Sequence, residues 1–180
     1  MDRLTGMLGD QMIIKQVRGG RTIISKKASF IGKREFSPAQ LAQHQAFREA
    51  AAYGKKMKGE EIYKTTANGG AKTSYNIAVA DWFNRPEILE IDLSQWVNGD
   101  GGIIRVRAQD DVMVQQVKVI IADETGALLE EGEAQDVGAL WWEYNTAQAA
   151  QNNMRVTIAA RDLPGHVTER TELKGHPRMP

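Results

Sequence analysis

The chain contains no cysteine. Disulfides, thiolate metal sites and cysteine nucleophiles are therefore excluded. No apolar run approaches the roughly 18 residues of a membrane span. Residues 1–16 carry charges at Asp2, Arg3, Asp10 and Lys15 and lack the continuous apolar core of a signal peptide. These absences lead us to expect a soluble chain that is cytoplasmic, particle-associated or exported without a cleaved signal. Catalytic signatures are missing as well. No serine sits in a G-x-S-x-G context. The glycine pairs and runs at 19–20, 69–70 and 99–102 are not followed by Gly-Lys-Ser/Thr, so none is a phosphate loop. His44, His166 and His176 are too far apart for metal-ligand spacing. The expectation is a protein that is not an enzyme.

What the sequence has is ordinary composition with an unusual division of charge. It is 42% hydrophobic and 26% charged, enough apolar material for a core and unlike a disordered chain. The net charge is zero, but residues 1–85 hold 15 basic against 7 acidic side chains, a net of +8. Residues 86–180 hold 8 against 16, a net of −8. Opposed halves suggest a polyanion partner for the basic part, or one half facing the other within or between chains. A dedicated nucleic-acid domain carries a larger excess without an acidic twin, which disfavours nucleic acid as the partner.

Two regions follow, divided near residue 85. Ile13, Ile14 and Val17 precede Arg18-Gly19-Gly20, and Thr22, Ile23 and Ile24 follow, which reads as a β-hairpin over 11–17 and 21–27. Ser37-Pro38-Ala39-Gln40 forms a capping box with proline at the first helical position. The helix it opens should reach about Lys58, with Phe47, Ala50, Ala51, Gly54 and Met57 on its apolar face. Gly59 to Ala71 is polar and reads as a loop. A second helix begins at Thr73 or Ser74, carries the stripe Tyr75, Ala78, Val79, Trp82 and Phe83, and ends at Asn84-Arg85-Pro86.

Beyond Pro86 the apolar period changes from 3.6 to 2. Leu89, Ile91 and Leu93 alternate with acids. Ile104, Val106 and Ala108 alternate with arginines, and Val117, Val119 and Ile121 flank Lys118 and Ile120. Val156, Ile158 and Ala160 complete the set. Asn98 to Gly102, Asp123 to Gly126 and Asp162 to Gly165 supply turns. Leu128 to Ala134 is an acidic edge strand, Trp142 and Tyr144 share one strand face, and Val167 to Leu173 closes the sheet. About seven short strands at this spacing predict an antiparallel sandwich. The fold class is therefore α+β: an N-terminal hairpin and two helices, then an immunoglobulin-like β-sandwich with a loose tail from Lys174 to Pro180.

Three segments carry a resemblance. Ala108-Gln109-Asp110-Asp111 stands before a Val-rich strand, Asp123-x-x-Gly126 after it, and Ala160-Arg161-Asp162-Leu163-Pro164-Gly165-His166 near the end. With them, residues of about 87–173 resemble the bacterial immunoglobulin-like modules of surface and adhesion proteins, with His166 where those modules have Asn. The N-terminal half, with its Gly-rich hairpin and Ser37-Pro38-Ala39-Gln40 through Phe47, resembles a group of uncharacterised Bacteroidota proteins. That group has Arg shortly before the Phe, where this chain has His44 and Gln45. The combination implies, by analogy, a structural or secreted-particle role.

Candidate sites are few. Asp110, Asp111 and Asp162 fall in two loops that Greek-key sandwiches bring together, so calcium is the candidate cofactor, set against three turn-forming aspartates. Of the adjacent Trp141 and Trp142, one points inward and one outward, and Trp141 is the contact candidate. Ile13, Ile14, Ile23, Ile24, Lys26 and Lys27 form a hairpin that needs a partner edge, since a lone ribbon is marginal. The leading expectation is a structural protein that self-associates head to tail, as a homo-oligomer, filament or particle component. The alternative is an extracellular binding or adhesion module for carbohydrate or protein, assisted by calcium.

Overall fold

A computed structural model describes residues 6–8, 12–17, 20–27, 35–68, 70, 72–97 and 101–175. The expected positions Arg18, Gly19, His176, the Asn98–Asp100 part of the turn and the tail after residue 175 lie outside the described residues. Three antiparallel sheets and three helices make an α+β fold.

The chain opens with β1 (Gly6–Leu8), β2 (Met12–Gln16) and β3 (Thr22–Lys26), ordered β1-β2-β3. The hairpin read from the sequence is β2 and β3, with Gly20 in the positive-φ region at the turn. β1 adds a third strand that its three residues gave no pattern to reveal.

Helix α1 (Pro38–Met57) starts on the expected capping box. The Ser37 side chain accepts from the Gln40 backbone N–H, and the Gln40 side chain accepts from the Ser37 N–H. Helix α2 (Glu61–Ala67) occupies the stretch read as a loop. The reason is Tyr63, which is fully buried and anchors a polar heptad that has no apolar stripe of its own. Helix α3 (Ser74–Phe83) is capped by Thr73. Its buried face differs from the expected stripe: Asp81 is fully buried while Phe83 is exposed. Helices α1 and α3 approach closely at Gly54, where an added Cβ would lie 2.6 Å from Val79 Cγ2.

Eight strands follow: β4 (Glu87–Asp92), β5 (Gly102–Gln109), β6 (Val114–Ala122), β7 (Leu128–Glu133), β8 (Gln135–Gly138), β9 (Trp141–Thr146), β10 (Arg155–Asp162) and β11 (Val167–Leu173). They form two four-stranded antiparallel sheets, β4-β5-β9-β8 and β11-β10-β6-β7. Facing each other, these fit an immunoglobulin-like sandwich. Ile104, Val106 and Ala108 from one sheet meet Val117, Val119, Ile121, Val156, Ile158 and Ala160 from the other in a single core. Period 2 puts each set on one face. In β4 the expected alternation is offset. A bulge between Ile88 and Glu90 turns Ile88 and Ile91 inward, leaving Leu89 half-buried. Trp96, fully buried, caps one end of the core and donates its indole N–H to the Gln148 carbonyl at 2.7 Å.

Candidate functional site

The N-terminal sheet is the first candidate surface. Its register places Ile14 opposite Ile24 and Met12 opposite Lys26 on one face. Ile13 pairs with Met7 on the other face, where Ile23 also lies. Both faces therefore carry apolar side chains, yet none of the described residues of this sheet is buried. Ile13 and Ile14 are half-buried, Ile23 is 49% exposed and Ile24 63%. Lys15, Arg21, Lys26 and Lys27 are exposed among them. The first half of α1 is uncovered in the same way: Leu41 and Phe47 lie open, and Phe36, exposed just ahead of the helix, meets His44 edge-on. Burial in α1 begins at Ala50. Contiguous exposed apolar surface of this kind is uncommon on monomeric proteins.

Trp141 and Trp142 divide as the strand pattern requires. Trp142 joins the core. Trp141 is half-buried on the outer face, and the Arg105 guanidinium lies 4.7 Å from its ring centroid, held by an ion pair to Glu143 at 3.0 Å. A cation already covers one face of the ring.

The second candidate lies where the helices meet the sandwich. Asp110, in the β5–β6 loop, accepts the Val112 and Met113 N–H groups on Oδ2. Asp162, fully buried at the end of β10, accepts the Gly165 and His166 N–H groups on Oδ1, and its Oδ2 lies 3.0 Å from His166 Nδ1. Asp111 turns away and accepts from the Asn84 side chain. Each of the three thus bonds a turn or a neighbouring loop, and among the described residues no three acids or histidines are grouped to hold a metal ion.

Asp81 is the member of this cluster that the sequence did not reveal. From α3 it faces Asp110 within hydrogen-bonding reach, and Asp162 is close enough to act on it electrostatically. Its Oδ2 accepts the Tyr63 hydroxyl at 2.5 Å, and Tyr63 lies 2.6 Å from the Tyr53 hydroxyl. Because Tyr63 has one proton and gives it to Asp81, Tyr53 must donate to Tyr63. Burial pushes Asp81 up to about 6. The Tyr63 hydrogen bond pulls the other way, and Asp110 adds to the rise. Asp81 Oδ1 and Asp110 Oδ1 are both buried with no hydrogen-bond partner. A cleft of about 560 Å³ opens beside Asp81, lined by Thr66, Lys72, Ile77, Asp111 and Val112. The available signal in the sequence was Asp81 itself, an acid at i+3 from Ala78 on the apolar side of a helix.

Comparison with known proteins yields only distant structural likenesses. No family model matches the chain, and no curated protein does. Among solved structures, an engineered protein is similar over 56% of this chain and 26% of its own, at 20% identity and a TM-score of 0.40. CopC from Methylosinus trichosporium OB3b is similar over 48% of this chain and 87% of its own, at 18% identity and a TM-score of 0.35. The chain thus spans about a quarter of the engineered protein's length. Both overlaps are loose, and the sandwich rests on its own strand pairing.

Proposed function

We propose that this chain is a non-enzymatic structural module that self-associates, its basic N-terminal sheet docking on the acidic sandwich of a second copy to build a head-to-tail row. The observation that carries the reading is the N-terminal sheet, which has apolar residues on both faces and buries none of its described ones. A small sheet that buries none of its apolar side chains gains stability by packing them on something else. A second copy fits as the occupant because the sandwich offers surfaces of the opposite charge. Edge strand β7 exposes Leu128 and Leu129 beside Glu131 and Glu133, with its outer backbone groups free of a neighbouring strand in the sheet order. A contact between different surfaces of identical chains propagates as a ring or filament.

Sizing the purified protein at high concentration, in low and in high salt, tests the proposal. Assemblies that shrink as salt rises are the expected result, since screening weakens contacts between exposed charges. A monomer at both salts would overturn it.

A further inference from the structure

We propose that Asp81 and Asp110 hold one proton between them, Oδ1 to Oδ1, and that this shared proton latches the helices to the sandwich. The geometry requires something there. Asp81 is fully buried, its Oδ2 is occupied by Tyr63, and its Oδ1 has no partner. Asp110 spends Oδ2 on its own turn and also leaves a buried Oδ1 unpartnered. Two ionised carboxylates facing each other out of water repel, whereas one proton turns the pair into a donor and an acceptor. The two residues come from different parts of the fold, α3 and the β5–β6 loop, so the bond they make joins those parts.

The remaining charged and titratable groups around the pair do not supply that proton's role. Tyr53 from α1 and Tyr63 from α2 form the chain ending on Asp81 Oδ2. Asp162 from β10 adds negative charge, and His166 beside it is engaged with Asp162 and lies edge-on to Trp82 of α3. Asp111 bonds Asn84. Arg85 borders a surface hollow with Asp110 and Asp111, and Lys72 lines the cleft beside Asp81. Among the described residues no ion pair joins either cation to the carboxyl pair.

The sign follows from the direction of the shift. Asp81 is raised from 3.8 to about 6 in the folded chain. The stability it contributes is therefore complete below about pH 4 and is lost as pH rises through about 6. Acid closes the latch and alkali loosens it.

Amide hydrogen exchange of the whole chain at pH 5 and pH 8, on wild type and D81N, tests the proposal. In D81N the amide carbonyl still accepts the Tyr63 hydroxyl, and the amide NH₂ donates to Asp110 Oδ1, replacing the shared proton by one that cannot leave. Protection factors in α3 should fall about tenfold from pH 5 to pH 8 in wild type relative to D81N, with β6 and β10 changing far less. D110N, which restores the same donor from the other side, carries the comparison if D81N fails to fold. Parallel pH profiles for wild type and variant would overturn the proposal. So would a gain in protection on adding millimolar CaCl₂ at pH 8 to wild type but not to D81N, because a cation would then occupy the place assigned to the proton.

Discussion

Glu130 Oε1 accepts the Tyr144 hydroxyl at 2.6 Å and so ties edge strand β7 of one sheet to β9 of the other. The same carboxylate accepts from Thr146 Oγ1 and from the Ala147 and Gln148 N–H groups. Burial pushes Glu130 up, but these four donors together outweigh it and hold its pKa below the usual carboxylate range. Tyr144 moves the other way, pushed up to about 12 by burial and by its bond to Glu130.

Glu130→Gln should therefore destabilise the sandwich by about 1–3 kcal/mol at pH 7, since an uncharged amide serves four donors poorly. A depressed pKa contributes stability above the ordinary glutamate range that is lost as pH falls through the folded value. The gap between wild type and variant should accordingly narrow below about pH 4.5. Urea denaturation at pH 7 and at pH 3.5 measures it, and an equal gap at both would refute the assignment.

Gly132 makes room for that tie. A Cβ there would lie 2.6 Å from Tyr144 Cε2 and 2.8 Å from its hydroxyl. Gly132→Ala should cost about 1–3 kcal/mol through overpacking. In a Tyr144→Ala background most of that cost should vanish, and a double-mutant cycle reads the coupling. Additive losses would mean that Gly132 serves another purpose.

Gly54 poses a sign question in α1. Alanine gains up to about 1 kcal/mol over glycine in a helix interior. Its Cβ would meet Val79 Cγ2 at 2.6 Å, and the stiff valine cannot swing away. Gly54→Ala should lower the melting temperature in the native background and raise it in a Val79→Ala background. The same sign in both would show that helix packing does not control this position.

The assembly surface makes a different demand. Ile24→Asp places a charge on the N-terminal sheet, which touches no part of the hydrophobic core among the described residues. It should disperse the assemblies at low salt while leaving the thermal unfolding of the monomer within about 0.5 kcal/mol. Light scattering and circular dichroism on one sample check both halves, and undiminished assembly would remove the sheet from the contact.

Much of the sandwich was legible because its strands alternate in isolation. Ile104-x-Val106-x-Ala108, Val117-x-Val119-x-Ile121 and Val156-x-Ile158-x-Ala160 each announce a buried face without reference to any other strand, and all nine reach the core. The capping box at Ser37 was legible for the same reason, being complete within four residues. What escaped depends on distant partners. Tyr63 lies in a polar run whose only apolar neighbour is Ile62, and its burial follows from Tyr53 and Asp81, 10 and 18 residues away. Asp81, although it stands on the apolar side of its helix, shows its role only once Tyr63 and Asp110 are brought to it. The bulge in β4 and the short strand β8 arise from pairing geometry, which composition does not encode. The calcium candidates Asp110 and Asp162 do lie at one end of the sandwich, both beside Asp81. Their separate turn bonds, and the outward rotation of Asp111, only appear in three dimensions.

Among the described residues, every side chain of the sandwich's core cluster comes from beyond Pro86, itself fully buried at the start of the sandwich. The N-terminal sheet ahead of α1 can therefore be exchanged, lengthened or tagged without touching a buried residue, whereas the helices keep a small interior of their own at Ala50, Tyr63 and Ala78. Natural variation should fall unevenly, with the N-terminal sheet free to diverge to suit new neighbours while the helices and the sandwich are each constrained by an interior.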